Sequence, residues 1–352
     1  MPIFDQGYQH WSGQLTGHAW RWLAITRHGL RVALSGWAVK IVLVAALLPA
    51  ILLAFMLSLW GLLERNSDAI TAFLPFLGFL DPEILAGPRP YRVEIWTLSY
   101  SIFLGVELYF AMFLILLVGP GLISQDLRYN ALPMYFSRPL RRIDYLAGKL
   151  GIIFALLGVV IIAPSILAYL LGLMFSLDVT ILRDTFRIIV AAVLYGLIIA
   201  VSAGMLILAL SSLSRNSRYV ALMWVGVWIV TGAVSTVLTL VNEEEREQIQ
   251  YRINRGETDV TLESLREADQ RDWRPLVSYY ANLSRIGQQL LGTDAAWEKL
   301  SKLRPGSQQE DFLRSVRGPQ FPWYWSAAVL LGLLGLSACI LNYRIKSLDQ
   351  LG

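Results

Sequence analysis

Residues 41–63 read IVLVAALLPAILLAFMLSLWGLL, twenty-three positions without a charge, set between Lys40 and the pair Glu64–Arg65. A helix needs about 20 apolar residues to cross the hydrocarbon core of a bilayer, so this stretch is long enough to span. Its apolar run exceeds the roughly 7–15 residues of a secretory signal core, and forty residues stand before it, so a retained anchor is expected. Working outward, five more runs qualify: Ile95–Leu117, interrupted by Glu107; Leu150–Leu177, containing Pro164; Ile188–Leu213; Tyr219–Val241; and Trp325–Tyr343. The expected fold is an all-α polytopic membrane protein with six transmembrane helices.

Charge is distributed to match. Only 16% of the 352 residues are charged, against about a quarter in a soluble domain. Of 26 acidic and 30 basic residues, 14 and 12 fall between Asn242 and Pro322, which leaves the rest of the chain very poor in charge. An ordinary soluble enzyme, a disordered chain and a nucleic-acid partner are all excluded by that pattern. The single cysteine, Cys339, allows no disulfide framework or thiolate metal cluster and reads as an apolar filler. All three histidines precede residue 29, so no metal site is expected.

Lys and Arg in the short loops set the orientation. With the N-terminus inside, the cytoplasmic segments hold thirteen of them, including Arg128, Arg138, Arg141, Arg142 and Lys149. The short outer loops hold five: Arg65, Arg89, Arg92, Arg183 and Arg187. Both termini are therefore expected in the cytoplasm. Trp37, Trp60, Trp96, Trp323, Tyr324, Trp325 and Tyr343 fall at span ends, where an aromatic ring with one polar atom prefers the headgroup region.

The chain then divides as follows. Residues 1–40 form a cytoplasmic segment with an amphipathic stretch over 11–37: Leu15, Ala19, Trp22, Ile25, Gly29, Val32 and Ala33 share one face, and Arg21, Arg27, His28 and Arg31 lie around the other. It reads as an interfacial helix on anionic headgroups, with a helix packed on the protein's own surface as the plainer reading. Residues 41–241 carry spans 1–5 and a cytoplasmic loop at 124–149. Residues 242–322 read as a small, mainly helical extracytoplasmic domain, with Gly256, Gly292 and Gly306 as breaks. Residues 323–352 hold span 6 and a cytoplasmic tail.

Catalytic motifs are missing. The phosphate-cradling pattern G-x-x-x-x-G-K-[ST] fails at Gly148–Lys149, which Leu150 follows and before which Ile143 occupies the place of the first glycine. No expected span contains His or Asp, so intramembrane proteolysis has no base, acid pair or metal ligands. No catalytic residue is expected in this chain. Glu107 is the one acid inside an expected span, and a charge there is costly enough to mark a pathway or a partner. Tyr100, seven residues earlier, lies on the same helical face. The competing reading is a hydrogen bond between helices. Gly196, Ala200 and Gly204 place small residues every fourth position in span 4, which permits close helix approach somewhere.

The loop between spans 2 and 3 is the most telling segment: SQDLRYNALPMYFSRPLRRIDYLAGK over 124–149. Leu132, Tyr135 and Phe136 offer apolar surface at helical spacing, beside Arg138, Arg141 and Arg142. A basic loop obeying the positive-inside rule has no need of exposed aromatics, whereas a segment docking into a partner's groove does.

This loop resembles that of the type-2 ABC exporter permeases, which reads approximately E-x-x-x-G-T-L-x-x-L-L-S-x-P-x-x-R-x-x-x-x-x-G-K. Asp126 stands at the acid, and Leu132, Ser137, Pro139, Arg142, Gly148 and Lys149 stand at the other recurrent positions. Asn130 and Ala131 replace the usual Gly-Thr. The resemblance implies a permease subunit that pairs with a second copy or a relative, sits among membrane lipids, and is driven by two separate ATPase subunits. The ATPases, not this chain, would hold ATP and Mg. Asp126, Leu132, Tyr135, Phe136, Arg138, Pro139, Arg141 and Arg142 would form the coupling helix that docks in the ATPase, and Glu107 and Tyr100 would face the translocation pathway. The implied location is the cell membrane, the inner one in a Gram-negative cell. Two other classes stay open: a proton-linked secondary transporter using Glu107, and a membrane scaffold recruiting partners through its outer domain. The low charge of the spans favours an apolar or amphipathic cargo.

Overall fold

A computed structural model describes residues 20–65, 67–78, 80–131, 135, 141–176, 178–240, 272–304, 309, 312, 313, 316 and 320–349, with the main chain alone at 69, 74, 179 and 345–349. Among these residues there are no strands, and six helices are long and apolar enough to cross a membrane: Trp37–Glu64, Arg89–Arg128, Arg142–Ser176, Thr180–Leu213, Ser217–Leu240 and Trp323–Arg344. They are spans 1 to 6. Each of the six expected runs matches one of them, the last residues of the third and fifth runs, Leu177 and Val241, lying outside the described residues. Spans 2, 3 and 4 begin six to eight residues earlier than their apolar runs, because their first turns carry polar groups that find partners and hydropathy registers only the apolar part.

A helix before the spans, α1 (Arg21–Ser35), turns at Gly36 into span 1. Much of its apolar face is taken by span 3. The Thr26 hydroxyl donates to the Gly148 carbonyl at 2.9 Å. A Cβ on Gly148 would sit 2.7 Å from Ile25 Cβ and 2.9 Å from the Trp22 carbonyl oxygen, so only glycine lets the two helices come this close. On the opposite face Trp20, Leu23, Arg27, Arg31 and Val32 are exposed.

Within span 3, Pro164 has no N–H and its ring crowds the carbonyl four residues back. The helix absorbs this in a π-turn over Gly158–Ile162. The small residues of span 4 receive that span. A Cβ on Gly196 would meet Ile162 at 3.0 Å, and one on Gly204 would meet Leu150 at 2.7 Å. The stripe therefore serves packing inside the subunit. Cys339 lies on an exposed face of span 6.

The segment after span 5 contributes α2 (Tyr279–Leu291) and α3 (Thr293–Ser301), joined at Gly292 with φ 76°. The segment was read as an outer domain; its breaks at Gly256 and Gly306 lie outside the described residues, and α2 packs among the spans. Tyr279 and Leu283 are buried, and the Tyr279 hydroxyl lies 2.9 Å from Ser202 Oγ. Ser202 is eleven residues from the end of span 4, about 16 Å along the helix, and about 33 Å from its start. From that depth α2 climbs back along span 4 until Gly292 meets Arg187, so it is wedged among spans 2, 4, 5 and 6. Buried Arg285 holds the return, donating to the Phe321 carbonyl at 2.9 Å and pairing with Asp294 at 2.9 Å.

Candidate functional site

Two polar centres mark the two ends of the bundle. At one end, span 2 bends at Gly119–Pro120 and continues as Gly121–Arg128. Three serines hold this short helix. Ser211 Oγ of span 4 accepts the N–H groups of Ile123 and Ser124, both at 3.0 Å, and donates to the Pro120 carbonyl at 2.9 Å. Ser124 Oγ lies 2.8 Å from Ser217 Oγ at the start of span 5. These contacts satisfy groups that a bent helix would otherwise leave unpaired. Isolated serines carry no motif, and nothing in the sequence pointed to them.

The helix stops at Asn130, which adopts φ 49°, in the left-handed region. The Ala131 N–H then reaches back to the Asp126 carbonyl at 2.9 Å, a six-to-one closure that ends the helix. Glycine takes such a position at least cost and asparagine is the next best. Asn130 thus does what glycine does in the resembling loop.

Asp126 faces inward from this helix. Its Oδ2 pairs with Lys149 Nζ of span 3 at 2.6 Å and accepts the Tyr145 hydroxyl at 2.7 Å. The ammonium lies 5.4 Å from the centre of the Tyr145 ring, whose own centre is 5.5 Å from that of Tyr135. Burial and the Asp126 charge both push the Tyr135 hydroxyl above its ordinary pKa. Arg141 caps the start of span 3, its N–H donating to Asp144 at 3.1 Å. The structure therefore joins Asp126, Tyr135, Tyr145 and Lys149, and leaves Arg141 exposed. Leu132, Phe136, Arg138 and Pro139 lie outside the described residues. Asp126 and Lys149 are 15% and 11% exposed at their side chains, so each is the other's partner and neither presents a free charge.

At the far end, Arg92 of span 2 is bidentate on Glu64 of span 1 (Nη2 to Oε2 2.6 Å, Nε to Oε1 2.8 Å). It also reaches Asp178 at 3.1 Å, Asp184 at 3.0 Å and Thr180 Oγ1 at 3.0 Å. Trp60 Nε1 donates to Glu64 at 2.6 Å. Hydrogen bonds from the Thr180 N–H and hydroxyl, then Arg92, hold Asp178 down to about 2. Its contribution to stability is therefore present above an aspartate's ordinary 3.8 and is lost only as the pH falls through about 2.

Between the ends, Glu107 is fully buried, and neither carboxylate oxygen has a hydrogen-bond partner among the described residues. Tyr100 is buried too, but its hydroxyl donates to the Ser165 carbonyl of span 3 at 2.8 Å and not to Glu107. Span 2 also has an uncovered stripe, Ile102, Val106, Tyr109, Phe113 and Leu117. Beside it the Tyr109 ring lies 4.6 Å from that of Tyr280, and Phe113 4.8 Å from Trp228.

No curated protein matches the chain in sequence. A family model described as ABC-2 family transporter protein matches residues 23–337, which takes in α1, all of spans 1–5 and most of span 6. With six spans and this match over most of its length, the chain belongs to the ABC-2 transporter family and is a multi-pass membrane permease of the ABC type.

Proposed function

We propose that this chain is the permease subunit of an ABC exporter and that a separate ATPase drives it through the 124–149 loop. The observation that carries the reading is the closed base of that loop. Asp126 on one stem and Lys149 on the other are joined at 2.6 Å, with the tilted rings of Tyr145 and Tyr135 in contact beside them. A displacement imposed on the loop then passes into spans 2 and 3 together, because packed elements move as near-rigid units. Asp126 works in this scheme as an anchor, while Tyr135, Phe136 and the arginines form the docking surface. ATP and Mg belong to the ATPase.

The bias of basic residues supports a cytoplasmic loop and cytoplasmic termini, and the buried Arg92 sharpens that bias by removing one charge from the opposite side. A second permease copy or relative would cover the exposed stripe of span 2 below Ile102, from Val106 to Leu117. Glu107 is sealed in the described arrangement, and movement of span 2 would bring it to the pathway.

The test is copurification. Truncating an interface anchor costs about 2 kcal/mol or more, roughly a factor of 30 in affinity. A Tyr135→Ala/Phe136→Ala variant should insert normally and lose its ATPase on purification. Wild-type recovery of the ATPase with that variant would remove the loop from the coupling role.

A further inference from the structure

A cavity of about 580 Å³ opens at the Arg92 end, beside the Arg92–Glu64 pair. Its size falls within the range of about 300–1,000 Å³ typical of small-molecule sites. One wall is a face of span 2 formed by Ile95, Leu98, Ser99 and Ile102, at helical spacings of three, four and seven. That face runs about 10 Å along the helix. Met56 and Trp60 of span 1 supply the opposite wall, and the Trp60 indole N–H is already spent on Glu64. The interior is thus apolar apart from the Ser99 hydroxyl. At the lower lip Ile102 is 67% exposed on the outside of the bundle, so the cavity opens sideways, where lipid chains lie.

The charges are confined to two of the lining residues. Arg304, just past α3, lies 4.0 Å from the centre of the Phe312 ring and has no ion pair among the described residues. Asp81 uses Oδ1 to accept the Glu83 N–H at 3.0 Å, and no described residue bonds its Oδ2. A cation and an anion lining one largely apolar cavity match a ligand with both charges and a long apolar tail. An anionic head alone would meet Asp81, and a cationic one would meet Arg304.

We propose that this cavity binds a zwitterionic aminophospholipid from the membrane, one acyl chain along span 2, its phosphate on Arg304 and its primary ammonium on Asp81. Primary ammonium is specified because Asp81 Oδ2 needs an N–H donor, which a quaternary ammonium lacks.

The test uses the full-length protein, released from nanodiscs holding equal parts of phosphatidylethanolamine, phosphatidylcholine and phosphatidylglycerol, with retained lipid read by native mass spectrometry. Phosphatidylethanolamine should be retained about tenfold over each of the others, the ratio expected from one charge-assisted hydrogen bond. Asp81→Asn should lose that preference, and Arg304→Gln should lower retention of all three lipids; asparagine still caps the short Pro82–Ala86 helix, so the fold should be kept. Ser99→Phe should fill the cavity and abolish the adduct while the protein elutes as a single peak. If Ser99→Phe is not monodisperse, Ile102→Trp blocks the exposed lip instead. Equal retention of the three lipids, or an undiminished adduct in a folded cavity-filled variant, would overturn the proposal. So would inorganic phosphate displacing the lipid, since the chain would then contribute nothing. None of these measurements requires the ATPase, so the outcome is separable from the coupling reading.

Discussion

The two ends of the bundle solve the same problem in different ways. At the Arg92 end, one guanidinium satisfies three carboxylates from span 1, the 3–4 turn and span 4, with Arg92 and Glu64 only 5% and 3% exposed. At the other end, one ammonium meets one carboxylate, and a polar loop emerges between them. A planar group with five donors can tie several elements at once, whereas an ammonium acts as a point charge. The first end is built to stay closed. The second joins two stems only, which leaves them free to move as a pair.

The sharpest way to break this comparison is Arg92→Met. It leaves three carboxylates facing one another with no cation, and removing one partner of a buried pair costs about 3–5 kcal/mol. This should be the largest loss of all, read as a fall in unfolding temperature of the detergent-solubilised protein. A near-native temperature would mean that the clamp holds nothing. Lys149→Met should cost less, about 2 kcal/mol, because its pair is closer to water. Adding Asp126→Asn should restore at least half of that loss, since the stranded charge is gone. Failure to recover would show that Lys149 acts by packing.

Glu107 lies between the ends and offers a test of opposite sign. A buried polar group without a partner costs about 1–3 kcal/mol, so Glu107→Leu should raise the unfolding temperature. A fall would reveal a partner in the region that the described residues do not cover. The smallest effects belong to Asn130. Asn130→Gly should change stability by a few tenths of a kcal/mol, and Asn130→Ala should cost about 1 kcal/mol, because alanine resists a positive φ. Equal behaviour of the two variants would show that the turn relaxes.

What the sequence made legible followed from range. Six spans were visible because twenty apolar residues in a row are a local signal, and Pro164 announced its own irregularity. Arg92 was counted as one of five outer charges, since its partners lie 28, 86 and 92 residues away and nothing local links them. The descent of α2 between the spans was hidden as well. At 13 residues it is too short to span, and buried Arg285, satisfied by Phe321, Gln288 and Asp294, makes it read as polar. At the loop, Asp126, Gly148 and Lys149 were legible as a motif. Their division of labour was not: Gly148 admits α1, while Asp126 and Lys149 neutralise each other.

The central claim is that the Asp126–Lys149 base passes movement of the ATPase into the spans. It is tested most directly with a reporter Val106→Cys on the uncovered stripe of span 2, in a Cys339→Ala background, reconstituted with the ATPase. The rate of modification by an impermeant thiol reagent, with and without ATP, is the measurement. With the base intact, ATP should change that rate about tenfold. In Asp126→Asn/Lys149→Met the ATPase should still copurify and hydrolyse ATP, yet the rate should no longer respond. An unchanged response to ATP in that pair variant would contradict the account.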